Sequence, residues 1–415
     1  MTKLAVVNIG QLVTLAGPKR PRVGAELREL GIMANAAMLI EDDRIVAVGK
    51  HGELEAQIDS ATRVIDAEGR CITPGFVDAH THPVFAGNRA DEFERRIGGA
   101  TYQEIAAAGG GILRTVKLTR EASEDELLAA ARRHRDWMLR GGTTTLEAKS
   151  GYGLDRETEL RMLRVIGRLN AEGPVRMVPT LLAAHTVPPE YAGRRDEYLR
   201  LVIEEIIPAA ASKGMARFCD AFCDEHAFSV GETREVLSAA KRHGMGLRLH
   251  AEQFVPGTGA GLAAELGAVT ADHLETATEV TLALLRDAGV QPVLLPGSVF
   301  ALGRSQYPPA CKMVEMGLGI VLATDFNPGS SPVPSISFIL SLACVQMRLL
   351  PSEALTAATI NAAWSLGMGE QVGSLETGKE ADFLIHEFVD YRELAYFIAA
   401  PARPQVFIAG REVTP

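Results

Sequence analysis

Two histidines stand two residues apart in "ITPGFVDAHTHPVFAGNRADEF", His80 and His82, at the end of an apolar run and just ahead of Arg89. Side chains at i and i+2 of a strand share a face, so a strand ending here projects both imidazoles together. That pairing suits chelation if other segments bring further ligands. "LRLHAEQ" offers His250, and "GIVLATDFNPGSSP" offers Asp325 after its own apolar run. Neutral imidazoles suit zinc and also iron, and an aspartate completes a set that leaves room for water. His185 of "LLAAHTVPPE" and His273 of "TADHLE" end apolar runs in the same way. A lone core histidine is usually just a hydrogen-bonded polar residue. Five converging on one rim imply a shared polar partner, because unpaired buried polar groups are costly.

Such residues must be positioned by elements that all end on one side. From residue 74 onward the pattern repeats apolar strand, polar loop and amphipathic helix. Strands are predicted at Phe76–Ala79, Thr143–Glu147, Arg176–Leu182, Phe218–Cys223, Leu247–His250, Val269–Asp272, Pro292–Leu295 and Ile320–Ala323. Helical stretches such as "SEDELLAAARRHRDWMLRG" and "VGETREVLSAAKRHG" fall between them, the second acidic at its start and closed by Gly244. Eight strands with helical crossovers predict a (β/α)8 TIM-type barrel in the α/β class, whose sites lie at the C-terminal strand ends. A doubly wound sheet would need a Gly-rich phosphate turn, which is missing. Residues 1–73 and 373–415 instead alternate short strands and turns, with "EDDRI" as a hairpin. The two ends are expected to form one small β-sandwich domain around a barrel of residues 74–372.

Composition narrows the function classes. The 415 residues are 47% hydrophobic and 23% charged, as in a soluble globular protein with a large core. A net charge of −10 without a long basic run argues against nucleic acid and anionic membranes as partners. No window approaches a membrane span, and Asn8 and Gln11 interrupt the apolar start, against a signal peptide. Five cysteines with no CxxC pair fit a reducing compartment, hence the cytoplasm.

With these residues in place, "PGFVDAHTHP", "LHAEQ", "DHLE" and "ATDFNPGSSP" resemble the metal-dependent amidohydrolase superfamily, as does the tail "VGSLETGKEADFLI". "THPVFAGNRADEFERRIGGATYQEIAAAGGGI", "TLEAKSGYGL" and "LAAHTVPPEY" more narrowly resemble its imidazolonepropionase family. The resemblance covers essentially the whole chain. It implies one Zn2+ or Fe3+ per subunit on His80, His82, His250 and Asp325, and a homodimer. It also implies contacts from Arg89, Tyr152, His185, Gln253, Asn327, Gly329 and Ser330 to a small substrate with a carboxylate tail. The implied reaction is hydrolysis of the cyclic amide of 4-imidazolone-5-propanoate to N-formimidoyl-L-glutamate, in histidine breakdown.

Those roles make chemical sense. Arg89 offers a planar fork to a carboxylate, or else pairs with Asp91 or Glu92. Tyr152 sits in "SGYGL", where glycines permit close approach to a ligand, or else make an ordinary turn. Gly329 and Ser330 offer donors to a carboxylate, or are simply turn formers. Asp325 takes a proton from water, His273 orients the nucleophile and His185 steadies the oxyanion. Glu252, two residues past His250, shuttles a proton to the leaving nitrogen or braces a ligand. Lys149 is expected to support the site structurally. His226 is ambiguous, and His51, His134, His243 and His386 are expected in solvent. A purine, pyrimidine or triazine aminohydrolase would share the ligands and differ in the pocket. A barrel without chemistry, serving as a binding protein, would not need them.

Overall fold

The computed structural model describes residues 2–100, 104, 109–225, 227–400 and 403–414. Eight parallel strand positions form the central sheet: Phe76–Asp78, Thr143–Lys149, Arg176–Ala184, Phe218–Cys223, Gly246–Leu247 with His250–Ala251, Thr270–His273, Gln291–Leu294 and Val321–Leu322. Every predicted strand is present within a few residues. The fifth differs in being broken at Arg248 and Leu249. There the Arg248 guanidinium, fully buried, turns inward to donate to the carbonyls of Ala79 and Ser365.

Contacts from the eighth strand back to the first close the barrel. The Thr324 amide and hydroxyl donate to the two oxygens of Asp78 at 3.0 and 2.6 Å. Beyond the strands, the Asp325 amide donates to the His80 carbonyl and the His82 amide to the Phe326 carbonyl. These two closing bonds fix the backbone of His80, His82 and Asp325 relative to one another.

The helices start where capping chemistry dictates. Ser123 caps Glu124–Arg140 and Ser229 caps Val230–Arg242, each hydroxyl accepting the amide of the glutamate three residues on. Outside the barrel, both chain ends build one eight-stranded sheet. In it Cys71–Pro74 pairs antiparallel with Phe383–Ile385, which pairs in turn with Gln405–Ile408. The "EDDRI" hairpin joins Ile32–Glu41 to Arg44–Lys50, with Asp42 in the left-handed region at φ 53°. Alternating residues of Lys3–Val13 bury Leu4 and Val6 on one face and Ala5 and Val7 on the other. Among the described residues no helix is long and apolar enough to cross a membrane.

Candidate metal centre and substrate site

Five side chains from four strand ends meet in the barrel mouth, all nearly inaccessible: His80, His82, His250, His273 and Asp325. Ligand atoms of His80, His82 and His250 lie within 4.8 Å of one another, as do those of His80, His273 and Asp325. Nε2 of His80 is 3.3 Å from Nε2 of His82, and Asp325 Oδ1 is 3.6 and 3.5 Å from those two nitrogens. Atoms bound at ~2.1 Å around a tetrahedral ion stand roughly 3.4 Å apart, so the spacing fits.

The electrostatics point the same way. His80 donates Nδ1–H to Asp272 at 2.6 Å, so Nε2 of the neutral ring is a lone pair facing its neighbour. Burial, then Lys149 and the other imidazoles, push His80 well below the usual histidine range, and burial does the same to His82. Burial lowers His250 to about 4 against the pull of Asp220, whose Oδ2 is 3.0 Å from Nδ1. Neutral rings with facing lone pairs repel unless a cation lies between them. Asp272 and Asp220 orient two of the rings from behind, as carboxylates do for metal-bound histidines. The donor set therefore fits a single N/O-ligated ion.

Beneath this cluster lies a fully buried charge network, in which motif reasoning anticipates a role for Lys149 alone. The Lys149 ammonium is 2.6 Å from Asp220, 2.8 Å from Glu147 and 3.9 Å from Asp272, and Arg248 is 3.0 Å from Glu147. Burial disfavours the charged lysine, but Asp220 and Glu147 outweigh it and raise its pKa. Lys149 thus supports the carboxylates that aim the ligands, the structural role expected of it. The signal for Asp220 and Asp272 was a charged residue inside otherwise apolar "FCDAFC" and "TADH".

The substrate side is brought together in part. Tyr152, buried, lies 6.0 Å ring to ring from His82 and 5.5 Å from His185. His185 stacks on His82 at 5.4 Å. Its Nδ1 is 3.0 Å from the Gly151 carbonyl, which can only accept, so Nδ1 carries the proton. Burial holds this ring neutral, at about 3. Nε2 is then a bare acceptor, which corrects the expected role: neutral His185 cannot donate to an oxyanion.

Arg89 does not pair with Asp91 or Glu92, which face Arg114 at 2.6 and 3.5 Å. Its buried Nε has no hydrogen-bond partner among the described residues, and its guanidinium packs on Gly329, where a Cβ would fall 1.7 Å from Nη2. The amides of Gly329 and Ser330, expected as free donors, both donate to Asn327 Oδ1 at 2.8 Å. Asn327 thereby folds the loop, and its Nδ2 donates to the Asp325 carbonyl. Gln253 is buried beside Asp224, whose carboxylate accepts its amide.

Glu252 is not brought to the cluster. Strand alternation was to place it beside His250, but the strand ends at Ala251 and Glu252 turns left-handed at φ 56°. Its carboxylate accepts from the Ala260 amide and the Thr281 hydroxyl and lines a cavity of about 660 Å³ with Cys223, Asp224 and Gly259. His273 has Glu275 at 3.4 Å from Nδ1. Burial lowers its pKa, but Glu275, with Asp325 and Asp272, overrides this and raises it. Two histidines expected in solvent are buried: His134 against Phe85 and the Pro83 carbonyl, and His386 against Phe388 and Thr73. His226 lies outside the described residues.

Comparison with known proteins agrees with this geometry. Residues 71–413 match the Amidohydrolase family. The chain is 56% identical to the imidazolonepropionase of Solibacter usitatus, over 99% of this chain and 98% of that protein. It is 47% identical to that of Symbiobacterium thermophilum, over 98% and 96%. In fold it is similar to an adenosine deaminase from Xanthomonas campestris with bound zinc (TM-score 0.72, 19% identity, 99% of this chain and 92% of that one). It is also similar to 5-methylcytosine deaminase from Klebsiella pneumoniae (TM-score 0.73, 16% identity, 99% and 97%). A barrel with this histidine and aspartate cluster is a metal-dependent hydrolase. The chain belongs to the amidohydrolase family and, within it, to the imidazolonepropionases.

Proposed function

We propose that the protein hydrolyses the cyclic amide of 4-imidazolone-5-propanoate to N-formimidoyl-L-glutamate, in the breakdown of L-histidine. The observation that carries this reading is Arg89, partly buried beside the histidine and aspartate cluster, whose buried Nε has no partner among the described residues. A substrate with a carboxylate tail supplies the missing anion, whereas a neutral nucleobase does not.

His80, His82, His250 and Asp325 would hold one ion, either zinc or iron. When bound, such an ion would supply the Lewis acidity that lets water act as a nucleophile near neutrality. Asp325 accepts the proton released as water attacks the ring carbonyl carbon. Glu275, 3.4 Å from Nδ1 of His273, holds that ring in place to orient the attacking water. The ring C–N bond then breaks and Asp325 returns its proton to the leaving nitrogen, so that one water is added overall. Glu252 has no part in this scheme, because its carboxylate is engaged elsewhere. Arg89 binds the propanoate, with Tyr152, Gln253 and the loop of Asn327, Gly329 and Ser330 as the surrounding wall.

The five thiols form no disulfide, in keeping with a reducing cytoplasm. Exposed Val345, Tyr396, Phe397 and Ile398 suit a homodimer face. The deciding experiment follows loss of the imidazolone ultraviolet band, with chelated protein as control and metal content measured by mass spectrometry. Ammonia release from guanine or cytosine, with no turnover of the imidazolone, would favour the aminohydrolase reading instead.

A further inference from the structure

Glu159 lies in the helix Arg156–Glu172, is completely buried, and has no part in the chemistry above. Its carboxylate is nevertheless ringed by donors. Oε1 accepts the amides of Gly153 and Leu154 at 2.8 and 2.9 Å, and Oε2 accepts that of Gly151 at 3.1 Å. The "SGYGL" loop therefore wraps around one carboxylate, much as a backbone nest wraps an anion. The wrapping demands unusual backbone: Gly151 has φ 109° and Leu154 φ 54°. Side chains are excluded as well, since a Cβ on Gly153 would lie 2.6 Å from the Glu159 amide nitrogen.

What this loop presents is specific. Tyr152 projects from its middle, and the carbonyl of Gly151 is the acceptor for His185 Nδ1. The same residue, Gly151, thus gives its amide to Glu159 and its carbonyl to His185. The Gly151 N–H belongs to the peptide before Gly151 and the Gly153 N–H to the peptide after Tyr152, so Glu159 clamps both neighbours of the Gly151–Tyr152 peptide, whose carbonyl direction sets which nitrogen of His185 carries the proton.

We propose that Glu159 is a positioning residue for substrate recognition, holding Gly151 so that His185 keeps its proton on Nδ1 and offers Nε2 as acceptor to a ring N–H of the substrate. The substrate half of this statement rests on the function proposed above; the tautomer half does not. A ring N–H is the group that separates a cyclic amide from its N-substituted analogues. A site built to hydrogen-bond such a group rejects ligands lacking it, because its own buried partner is then left unpaired.

The test uses Glu159→Gln, His185→Asn and the double variant in the metal-loaded protein. Glutamine can replace Oε1 with its carbonyl, but its amide group then confronts the Gly151 N–H. Asparagine at 185 can still donate to Gly151 but has no atom in the place of Nε2. Nitrogen-15 spectra of the histidines, with His185 assigned by its loss in His185→Asn, should show Nδ1–H alone in the wild type and a tautomer mixture in Glu159→Gln. KM for the imidazolone should rise about tenfold in Glu159→Gln with kcat nearly unchanged, the pattern of lost uniform binding. The double variant should be no worse than His185→Asn alone, as expected when one residue acts through the other. Metal content and release to a chelator should stay at wild-type values. An unaltered His185 tautomer, additive losses, or a defect that appears as lost metal would each overturn the proposal. A wild type that shows the tautomer but leaves the imidazolone untouched would refute the substrate reading alone. Should Glu159→Gln fail to fold, Glu159→Asp, which keeps the charge but shortens its reach, carries the same measurements.

Discussion

Asp272 takes the Nδ1–H of His80 at 2.6 Å and Asp220 approaches Nδ1 of His250, so two ligand nitrogens are aimed by carboxylates that are themselves buried. Those carboxylates tolerate burial because Lys149 and Arg248 share the same network, and a buried charge persists only when paired. In the function proposed above, individual side chains serve either the metal or the substrate, and substitutions should sort them. Asp325→Asn keeps size and one carbonyl oxygen but cannot accept the proton of the attacking water. Turnover should fall nearly to background while part of the metal is retained, measured as rate per bound ion. Wild-type rates in that variant would exclude Asp325 as the base. Arg89→Met should weaken substrate binding by about 1.5–3 kcal/mol, roughly ten- to hundredfold in kcat/KM, the range for hydrogen bonds to charged groups. Since the tail is equally bound in ground and transition states, the loss should appear mainly in KM. An unchanged kcat/KM would mean that the tail binds elsewhere.

Strand ends and the loops that follow them make these positions available, and much of that was legible. "HTH", "LRLH" and "LATD" announced a converging polar cluster because polar residues closed apolar runs, and the Asp325 amide bonded to the His80 carbonyl joins the first and last of these strand ends. What escaped was conformation just beyond the strands. Glu252, His273, Leu274 and Asp325 all have positive φ, a region costly for non-glycine residues and frequent at functional sites. Period-two reasoning assumes extended backbone, so it carried Glu252 to the wrong side. It had no means of seeing that Asn327 would consume the amides of Gly329 and Ser330, since that turn is a contest between internal and ligand acceptors. His134 and His386 were misjudged for a related reason: each is satisfied by one local partner, which residue type does not reveal. The loop also yields a clean test. Gly329 is not left-handed, so alanine there fits the backbone and only displaces the flexible end of Arg89. Gly329→Ala should therefore keep its urea midpoint and metal, yet raise KM severalfold or more toward the Arg89→Met value. A lowered midpoint with normal KM would show that the glycine serves folding rather than Arg89.

At the scale of the molecule the barrel must be held to a sheet built from both chain ends, and Arg176 makes that junction. It opens the third barrel strand, away from the C-terminal strand ends where the metal ligands gather, and forms ion pairs with Asp382 and Glu380. Asp382, only 2% exposed, also accepts the amide of Ala409, while its carbonyl accepts that of Gly75. One aspartate therefore ties the third strand, the approach to the first and the final hairpin together. Removing the cation should leave a buried carboxylate without its counter-charge, a loss of about 3 kcal/mol, at the low end for buried pairs because Arg176 keeps some solvent contact. Arg176→Met should lower the urea midpoint accordingly. Since barrel chemistry sits at the opposite strand ends, kcat/KM of the folded fraction and metal content should match the wild type. If activity fell while the midpoint held, the ion pair would be tuning the site across the barrel rather than fastening the two layers, and the division between a stability face and a chemical face would not apply to this strand.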